Sequence, residues 1–176
     1  MWGDFVELRI VKRFALIIMA LFPAMWGVLG DLNNATAFNS TASNAVRPLM
    51  EMTNTYGNPW QTWRAITAPW AAPVALVLIM AVETAAGILG TIGVVVMLIN
   101  IRSSAAAFAK GKAWMILACL SAVLIWGVGF MVVAGDWFLT WEASKDPLSN
   151  QLGAMIYFLP CALALIVAMI HHEEET

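Results

Sequence analysis

Residues 70–99 read WAAPVALVLIMAVETAAGILGTIGVVVMLI, a stretch in which Glu83 is the only ionisable side chain. As an α-helix these residues would extend about 45 Å at 1.5 Å per residue, whereas the hydrocarbon core of a bilayer is about 30 Å thick. A backbone in lipid must satisfy its own hydrogen bonds, so an apolar run of this length has to be helical. The stretch therefore predicts a transmembrane helix that tilts strongly or projects into the membrane interface.

Three other apolar runs predict further membrane-spanning helices, because each is near or above the length that crosses a bilayer. The four predicted helices comprise residues 14–30, 70–99, 113–134 and 152–170. We therefore expect an all-α fold: a polytopic membrane protein in which residues 1–176 form a single membrane domain with four transmembrane helices in a bundle. A long outer loop, residues 31–69, connects the first two helices and begins with polar turn residues. Apolar residues at roughly helical spacing within 42–52 predict an interfacial helix there, broken or started near Pro48.

The composition agrees with lipid as the solvent. Hydrophobic residues make up 61% of the chain and charged residues only 11%, against about 25% charged in an average soluble domain. The net charge is −2 and the chain has no basic tail or stripe, so a nucleic-acid partner is not expected. Cys119 and Cys161 both lie inside apolar runs, which favours buried packing cysteines over a disulfide or a metal site.

The sequence offers little for catalysis or cofactor binding. Haem b requires an axial ligand within the membrane, yet the only histidines, His171 and His172, are adjacent at the end of the fourth run. The sequence contains no phosphate-binding loop, nucleophile elbow or zinc-binding spacing. We therefore expect no cofactor, no metal site and no catalytic residues, in a protein that is not an enzyme.

The distribution of basic residues predicts the orientation. Six Lys and Arg residues precede the first run or fill the connection between the second and third, whereas the other two connections carry three. The positive-inside rule therefore places both termini in the cytoplasm. Tryptophans prefer the membrane interface, and most of them cluster towards the opposite face, at Trp26, Trp60, Trp63, Trp70, Trp137 and Trp141.

Glu83 is the leading candidate for a functional residue. An ionised carboxylate near mid-membrane costs about 2.5–3.5 kcal/mol on insertion scales for Asp, so the side chain should face the bundle. Two roles remain open, namely a hydrogen bond that holds two helices together or a site that carries protons. Small residues follow on the same helix and favour close approach of another helix, at Ala86, Gly87, Gly90 and Gly93. We prefer packing within the bundle to an interface between copies of the chain.

A second polar group is expected on the outer face of the membrane. Asp31 and Asp136 lie where the first and third predicted helices emerge, and Arg64 precedes the second helix on the same side. We predict an ion pair between Arg64 and one of these aspartates, which would hold the long connection against the bundle.

Several short motifs, taken in order along the chain, carry a family resemblance. They are Asn33-Asn34, Met50-Glu51, Trp63-Arg64-Ala65-Ile66, Glu83 and Gly135-Asp136-Trp137-Phe138 with Trp141. The chain resembles the bacterial predicted small integral membrane proteins grouped as domain of unknown function 2165. Met-Asp and Glu-Trp-Phe are usual in that family, so Glu51 and Asp136 are departures that keep the charge. The resemblance implies a bacterial inner-membrane protein of four helices and brings no established activity, and the polar and aromatic motif residues are kept as candidate sites.

Two functions are compatible with these features. The first is an accessory or structural subunit that packs against a larger membrane complex, such as a respiratory or photosynthetic one. The small size, the lack of cofactor ligands and the long outer connection favour this function. The alternative is a small oligomeric proton-coupled transporter or channel that uses Glu83. In both cases the expected partners are the lipid bilayer and other membrane-protein subunits or further copies of the chain.

Overall fold

Four long helices dominate the computed structural model, which describes residues 7–144 and 148–173. They are long and apolar enough to cross a membrane, and within the described residues the chain is helical without strands. Three short helices, α2, α3 and α4, lie between the first two long ones. In chain order the helices are α1 (Leu8–Thr36), α2 (Phe38–Thr41), α3 (Arg47–Met50), α4 (Pro59–Thr62), α5 (Ala71–Ile99), α6 (Ala105–Ala122) and α7 (Ser149–Ile170). The predicted all-α membrane fold is confirmed.

Two segments are wound more widely than an α-helix. Val123–Trp137 continues α6 as a π-helix, and Ala42–Val46 forms a π-helical link between α2 and α3. At the end of the longer segment the Phe138 N–H donates to the carbonyl of Val133, five residues earlier, at 3.0 Å. A π-helix inside an α-helix often marks a functional site, and here it widens 15 of the 33 residues of the third spanning helix.

The helix boundaries correct the sequence prediction at α1 and α6. The polar residues after Gly30 form the last turns of α1 instead of a loop, because no Pro or Gly breaks the helix before Thr36. At α6 the Ser104 hydroxyl oxygen accepts from the Ala107 N–H at 3.3 Å, so the helix begins there and not at residue 113. The stretch 70–99 matches α5 to within one residue.

The four long helices pack against one another as a bundle. Helix α5 packs mainly against α1 and α6, whereas α7 packs against the π-helical segment, α6 and α1. We call the end with Arg13, the α5–α6 connection and residues 171–173 the termini end, and the opposite end the loop end. The termini half is filled by a dense apolar core that includes Leu16, Ala20, Met97, Phe108, Met115, Cys119 and Ala164. Cys119 and Cys161 are both free and fully buried.

The long connection is folded back onto the loop end. An almost continuous helical path runs from Phe38 to Met50, so the helix predicted within 42–52 begins earlier than expected and passes through Pro48. The Ile66 N–H donates to the Met50 carbonyl at 2.8 Å, and Met52 packs with residues that follow the π-helix. Buried Glu142 accepts from the Tyr56 N–H at 3.1 Å. These contacts hold the connection as a cap over the bundle.

Candidate functional site

Helices α1 and α5 touch backbone to backbone through glycines. A Cβ on Gly27 would lie 2.5 Å from the Glu83 carbonyl oxygen, and one on Gly90 would lie 2.7 Å from the Ala24 nitrogen. Only glycine allows so close an approach, as the small residues of the sequence suggested. Gly87 meets the same helix at Val28.

The other small residues of α5 are also used inside the chain. A Cβ on Gly93 would lie 2.9 Å from the Met115 nitrogen of α6, and Ala86 is fully buried. All four small residues therefore pack within this chain, where α5 meets α1 and α6.

The close glycine contact places Glu83 against α1. The side chain is 5% exposed, and its Oε2 accepts from the Asn34 Nδ2 at 2.8 Å. Gly30 leaves room for the carboxylate, because a Cβ there would lie 3.2 Å from Oε1. Among the described residues no donor is bonded to Oε1. Asn34 reaches Glu83 only because α1 continues beyond the predicted boundary.

Glu83 lines a cavity of about 600 Å³ in the loop half of the bundle. All four spanning helices contribute to its wall, the third through its π-helical segment, and Ala45 and Val46 of the link also line it. Its volume lies within the range of about 300–1,000 Å³ that is typical of small-molecule sites. In the part of the chain that the structure describes, Glu83 is the only acidic or basic side chain in the wall, and neutral polar groups come from Asn33, Asn34, Thr41, Ser149, Asn150 and Tyr157.

Three aromatic rings form one side of this cavity. The Trp26 and Tyr157 centroids are 5.1 Å apart at 84°, and Trp126 stacks on Tyr157 at 5.3 Å and 30°. The rings come from α1, the π-helical segment and α7, so the cluster joins three helices. Aromatic faces beside a carboxylate suit an organic cation with an apolar body.

The predicted ion pair of Arg64 is wrong. Within the described residues no carboxylate oxygen lies within 4.0 Å of its guanidinium. The guanidinium instead donates to the backbone carbonyls of Gln61 at 3.1 Å and Asp136 at 3.5 Å, and it lies over the Trp137 ring, 5.3 Å from the centroid. Asp136 is exposed, and its backbone carbonyl accepts from Arg64 where the prediction had its carboxylate.

The other candidate residues lie around the loop end. Trp137 meets Trp63 edge to face at 6.0 Å, and Trp141 meets Tyr56 in the same way at 6.2 Å. Asp31 is half-buried near the end of α1. It does not line the cavity, and it forms no salt bridge with any residue that the structure describes.

Sequence reasoning missed the role of Arg13 at the termini end. The side chain is fully buried, and its Nη1 donates to the carbonyls of Asn100 (3.2 Å), Ile101 (3.0 Å) and Ser103 (2.7 Å). Its Nε donates to the Glu173 carboxylate at 2.9 Å and its Nη2 at 2.5 Å. These hydrogen bonds hold the pKa of Glu173 below its usual value, so the carboxylate stays ionised.

A second cation supports this arrangement. Lys112 Nζ donates to the His171 carbonyl at 2.7 Å and fixes the end of α7. Burial, and then the charge of Lys112, lowers the pKa of His171. We call Arg13, Glu173, Lys112 and His171 the Arg13 cluster. Together with the dense core beneath it, this cluster closes the bundle on the termini side of Glu83.

Comparison with known proteins identifies the family of this chain. Residues 12–171 match the family described as "Predicted small integral membrane protein (DUF2165)". The chain belongs to this family. The resemblance inferred from the sequence motifs is thus confirmed, and the protein is an integral membrane protein with four candidate spans. None of the curated proteins or solved structures compared with the chain matches it.

Proposed function

We propose that the protein binds a small amphiphilic solute beside Glu83 and that this carboxylate couples binding to proton movement, as in a small transporter. The observation that carries the proposal is that Glu83 is buried and yet lines a cavity large enough for a solute. If Glu83 served only to join two helices, its hydrogen bond to Asn34 would be sufficient and no cavity beside the carboxylate would be needed. A buried ionisable group facing an internal cavity is the usual arrangement along transport pathways.

The lining of the cavity favours a cationic solute. Among the described residues Glu83 is the only charged side chain in its wall, and the Trp26, Trp126 and Tyr157 rings offer π faces in the same wall. When the cation binds, the O–H bond of a protonated Glu83 breaks, the proton leaves to water, and the carboxylate pairs with the cation. One proton is therefore exchanged for one monovalent cation at the same site.

The closed termini half supports an alternating mechanism. Between Glu83 and the termini end the bundle is packed, and Arg13 joins α1, the end of α5 and Glu173 beyond α7. A solute that enters from the loop end leaves on the other side only if this packing opens. Small transporters achieve such access by rocking helices around a fixed site. The Arg13 cluster is the part of this chain that would have to open.

The test uses purified protein in liposomes that contain a pH-sensitive dye, with tetraphenylphosphonium as the probe cation. We expect wild-type protein to release protons when the probe is added. Glu83→Gln should reduce the flux by about tenfold or more, equivalent to about 1.4 kcal/mol, because the amide cannot release a proton. Equal flux for wild type and Glu83→Gln would contradict the proposal.

A cavity-filling variant and its control come from α7. Gly153 lines the cavity, and a Cβ there would meet no atom within 4 Å, so Gly153→Phe should block the site without distorting the helix. Leu163, on the same helix, is 51% exposed, so Leu163→Phe should leave the flux unchanged. If both variants behave alike, the cavity is not the site.

We also propose that both termini lie in the cytoplasm of a bacterial cell, with the protein in the inner membrane. Ser43 lies at the loop end and Ser104 at the termini end, and both side chains are exposed. In intact cells a membrane-impermeant thiol reagent should therefore label Ser43→Cys and not Ser104→Cys. These single substitutions are compared in a Cys119→Ala, Cys161→Ala background. Labelling of Ser104→Cys alone would reverse the orientation.

An accessory subunit of a larger membrane complex is the second candidate. Trp60 and Trp63 favour it, because their side chains are 88% and 71% exposed on the folded connection and offer a surface to a partner. Purification in a mild detergent from the native membrane separates the two proposals. A partner at fixed stoichiometry supports the subunit, whereas a self-contained protein that moves the probe supports the transporter.

A further inference from the structure

A second and larger space lies beside the Glu83 cavity. This acyl cleft, as we name it, has a volume of about 880 Å³ and lies between α5 and the π-helical segment. The two spaces adjoin, since Ala45, Val46, Ile79, Phe130 and Asn150 line both, but Glu83 lines only the smaller one and Arg64 only the larger. The cleft exists because the π-helical segment packs on α7 and only sparsely on α5. Ala75 and Gly129, which carry little or no side chain, leave room between the two walls.

The walls of the acyl cleft are almost entirely aliphatic and aromatic. Leu78, Val132 and Val133 line it and are 63%, 54% and 42% exposed, so the cleft opens on the lipid-facing side of the bundle. An open apolar cleft inside a membrane is filled by hydrocarbon, because water there would meet no hydrogen-bonding partners.

Arg64 lies at the loop end of the acyl cleft. Its guanidinium is held by the backbone carbonyls of Gln61 and Asp136. Asp136 also lines the cleft, but no carboxylate oxygen of the described residues, that of Asp136 included, lies within 4.0 Å of the guanidinium. Trp63 and Trp137 flank it, and such aromatic side chains prefer the level of the lipid headgroups. The cleft therefore has a cation at the headgroup level and hydrocarbon walls below it.

We propose that the acyl cleft binds a phospholipid, with one acyl chain between α5 and the π-helical segment and the phosphate on Arg64. A phosphate supplies the two oxygen acceptors that a planar guanidinium pairs with best. The attached chain supplies the apolar volume that a free anion would leave empty. A helix from a second copy would cover the cleft but would leave Arg64 without an anion. The lipid site is separate from the Glu83 site and does not rest on the proposed transport.

The experiment is native mass spectrometry of the full-length protein in detergent, titrated with palmitoyl-oleoyl phosphatidylglycerol. Arg64→Gln should weaken binding by about fivefold or more, because the charge-assisted hydrogen bonds to phosphate are lost, whereas Arg64→Lys should retain part of the affinity. Arg47→Gln is the matched control, since Arg47 lies exposed on the same connection and does not line the cleft. Glu83→Gln should leave lipid binding unchanged, which separates this site from the solute site.

Two further probes test the parts of the lipid. Dioleoylglycerol, which lacks phosphate, and glycerol 3-phosphate, which lacks chains, should each bind more weakly than the intact lipid. The proposal is overturned if Arg64→Gln binds phosphatidylglycerol as tightly as wild type, or if Arg47→Gln loses as much affinity. It is also overturned if glycerol 3-phosphate binds as tightly as the lipid, or if a dimer forms that phosphatidylglycerol does not displace.

Discussion

Gly90→Leu should destabilise the folded protein more than any other single change on α5. A Cβ on Gly90 would lie 2.7 Å from the nitrogen, 2.8 Å from the Cα and 2.9 Å from the Cβ of Ala24. These are mostly backbone atoms of α1, so the two helices must move apart to admit a side chain. Overpacking of this kind costs about 1–3 kcal/mol for a few methylenes, and we expect Gly90→Leu to reach about 3 kcal/mol or more, with Gly90→Ala between it and wild type.

The measurement is unfolding in mixed micelles with increasing dodecyl sulfate, followed by tryptophan fluorescence. Gly153→Ala is the matched control, because a Cβ there meets nothing within 4 Å and alanine is the better helix former by about 0.5–1 kcal/mol. We expect that control to unfold at the same or a higher detergent fraction. Equal midpoints for Gly90→Leu and wild type would show that α1 and α5 do not meet at Gly90.

Arg13→Met should have the second largest effect, although it replaces a charge by an apolar group inside the bundle. The substitution leaves the carbonyls of Asn100, Ile101 and Ser103 without their donor and Glu173 without its partner. Removing one member of a buried ion pair costs about 3–5 kcal/mol, and Glu173 at 13% exposure can regain some hydration. We therefore expect a loss near the lower end of that range, with a frayed termini end.

Arg9→Met is the control, because Arg9 lies one turn earlier on α1 with a 40% exposed side chain whose one ion pair within the described residues is with Glu7. Exposed pairs contribute about 0–1 kcal/mol, so that variant should unfold close to wild type. Arg13→Lys should fall between the two, since one ammonium cannot serve carbonyls and a carboxylate together. If Arg13→Met and Arg9→Met unfold alike, the cluster is not a structural lock.

The sequence predicted the parts of the fold that depend on local hydrophobicity. The bounds of α5 were foreseen within one residue because an apolar run of that length has one stable form in lipid. The ends of α1 were missed because Lys12, Asn33 and Asn34 are polar without being helix breakers. Hydropathy locates the part of a helix in hydrocarbon, and the helix continues until a turn or cap stops it.

The site was predicted only in part, because its contacts are non-local. The sequence of α5 indicated that Glu83 would face the bundle and that the small residues after it would let another helix approach closely. It did not indicate Gly27 or Asn34 as the partners, since those depend on the register of α1 against α5. In the sequence, Arg13 was counted only as one of the basic residues that predict the orientation. Its hydrogen-bond acceptors are distant in the chain, near residue 100 and at Glu173. No residue pattern specifies a π-helix, so the acyl cleft could not be foreseen.

These structural features depend on one another. Glycines let α1 and α5 touch, the contact aligns Glu83 with Asn34, and the widened third helix leaves space on the other side of the carboxylate. The same packing closes the termini half beneath Arg13. Glu83 is thereby placed at the inner limit of a cavity, and its accessibility to a solute is the central claim.

Chemical modification of Glu83 by dicyclohexylcarbodiimide tests that claim most directly, because this apolar reagent reaches carboxyl groups through the membrane. The extent of modification is read from the mass of the peptide that contains Glu83, in wild type, Gly153→Phe and Leu163→Phe. We predict modification of wild type and of Leu163→Phe, and strong protection both in Gly153→Phe and by excess tetraphenylphosphonium. Failure of wild-type Glu83 to react, or equal reaction in Gly153→Phe and with the cation present, would contradict a solute-accessible site.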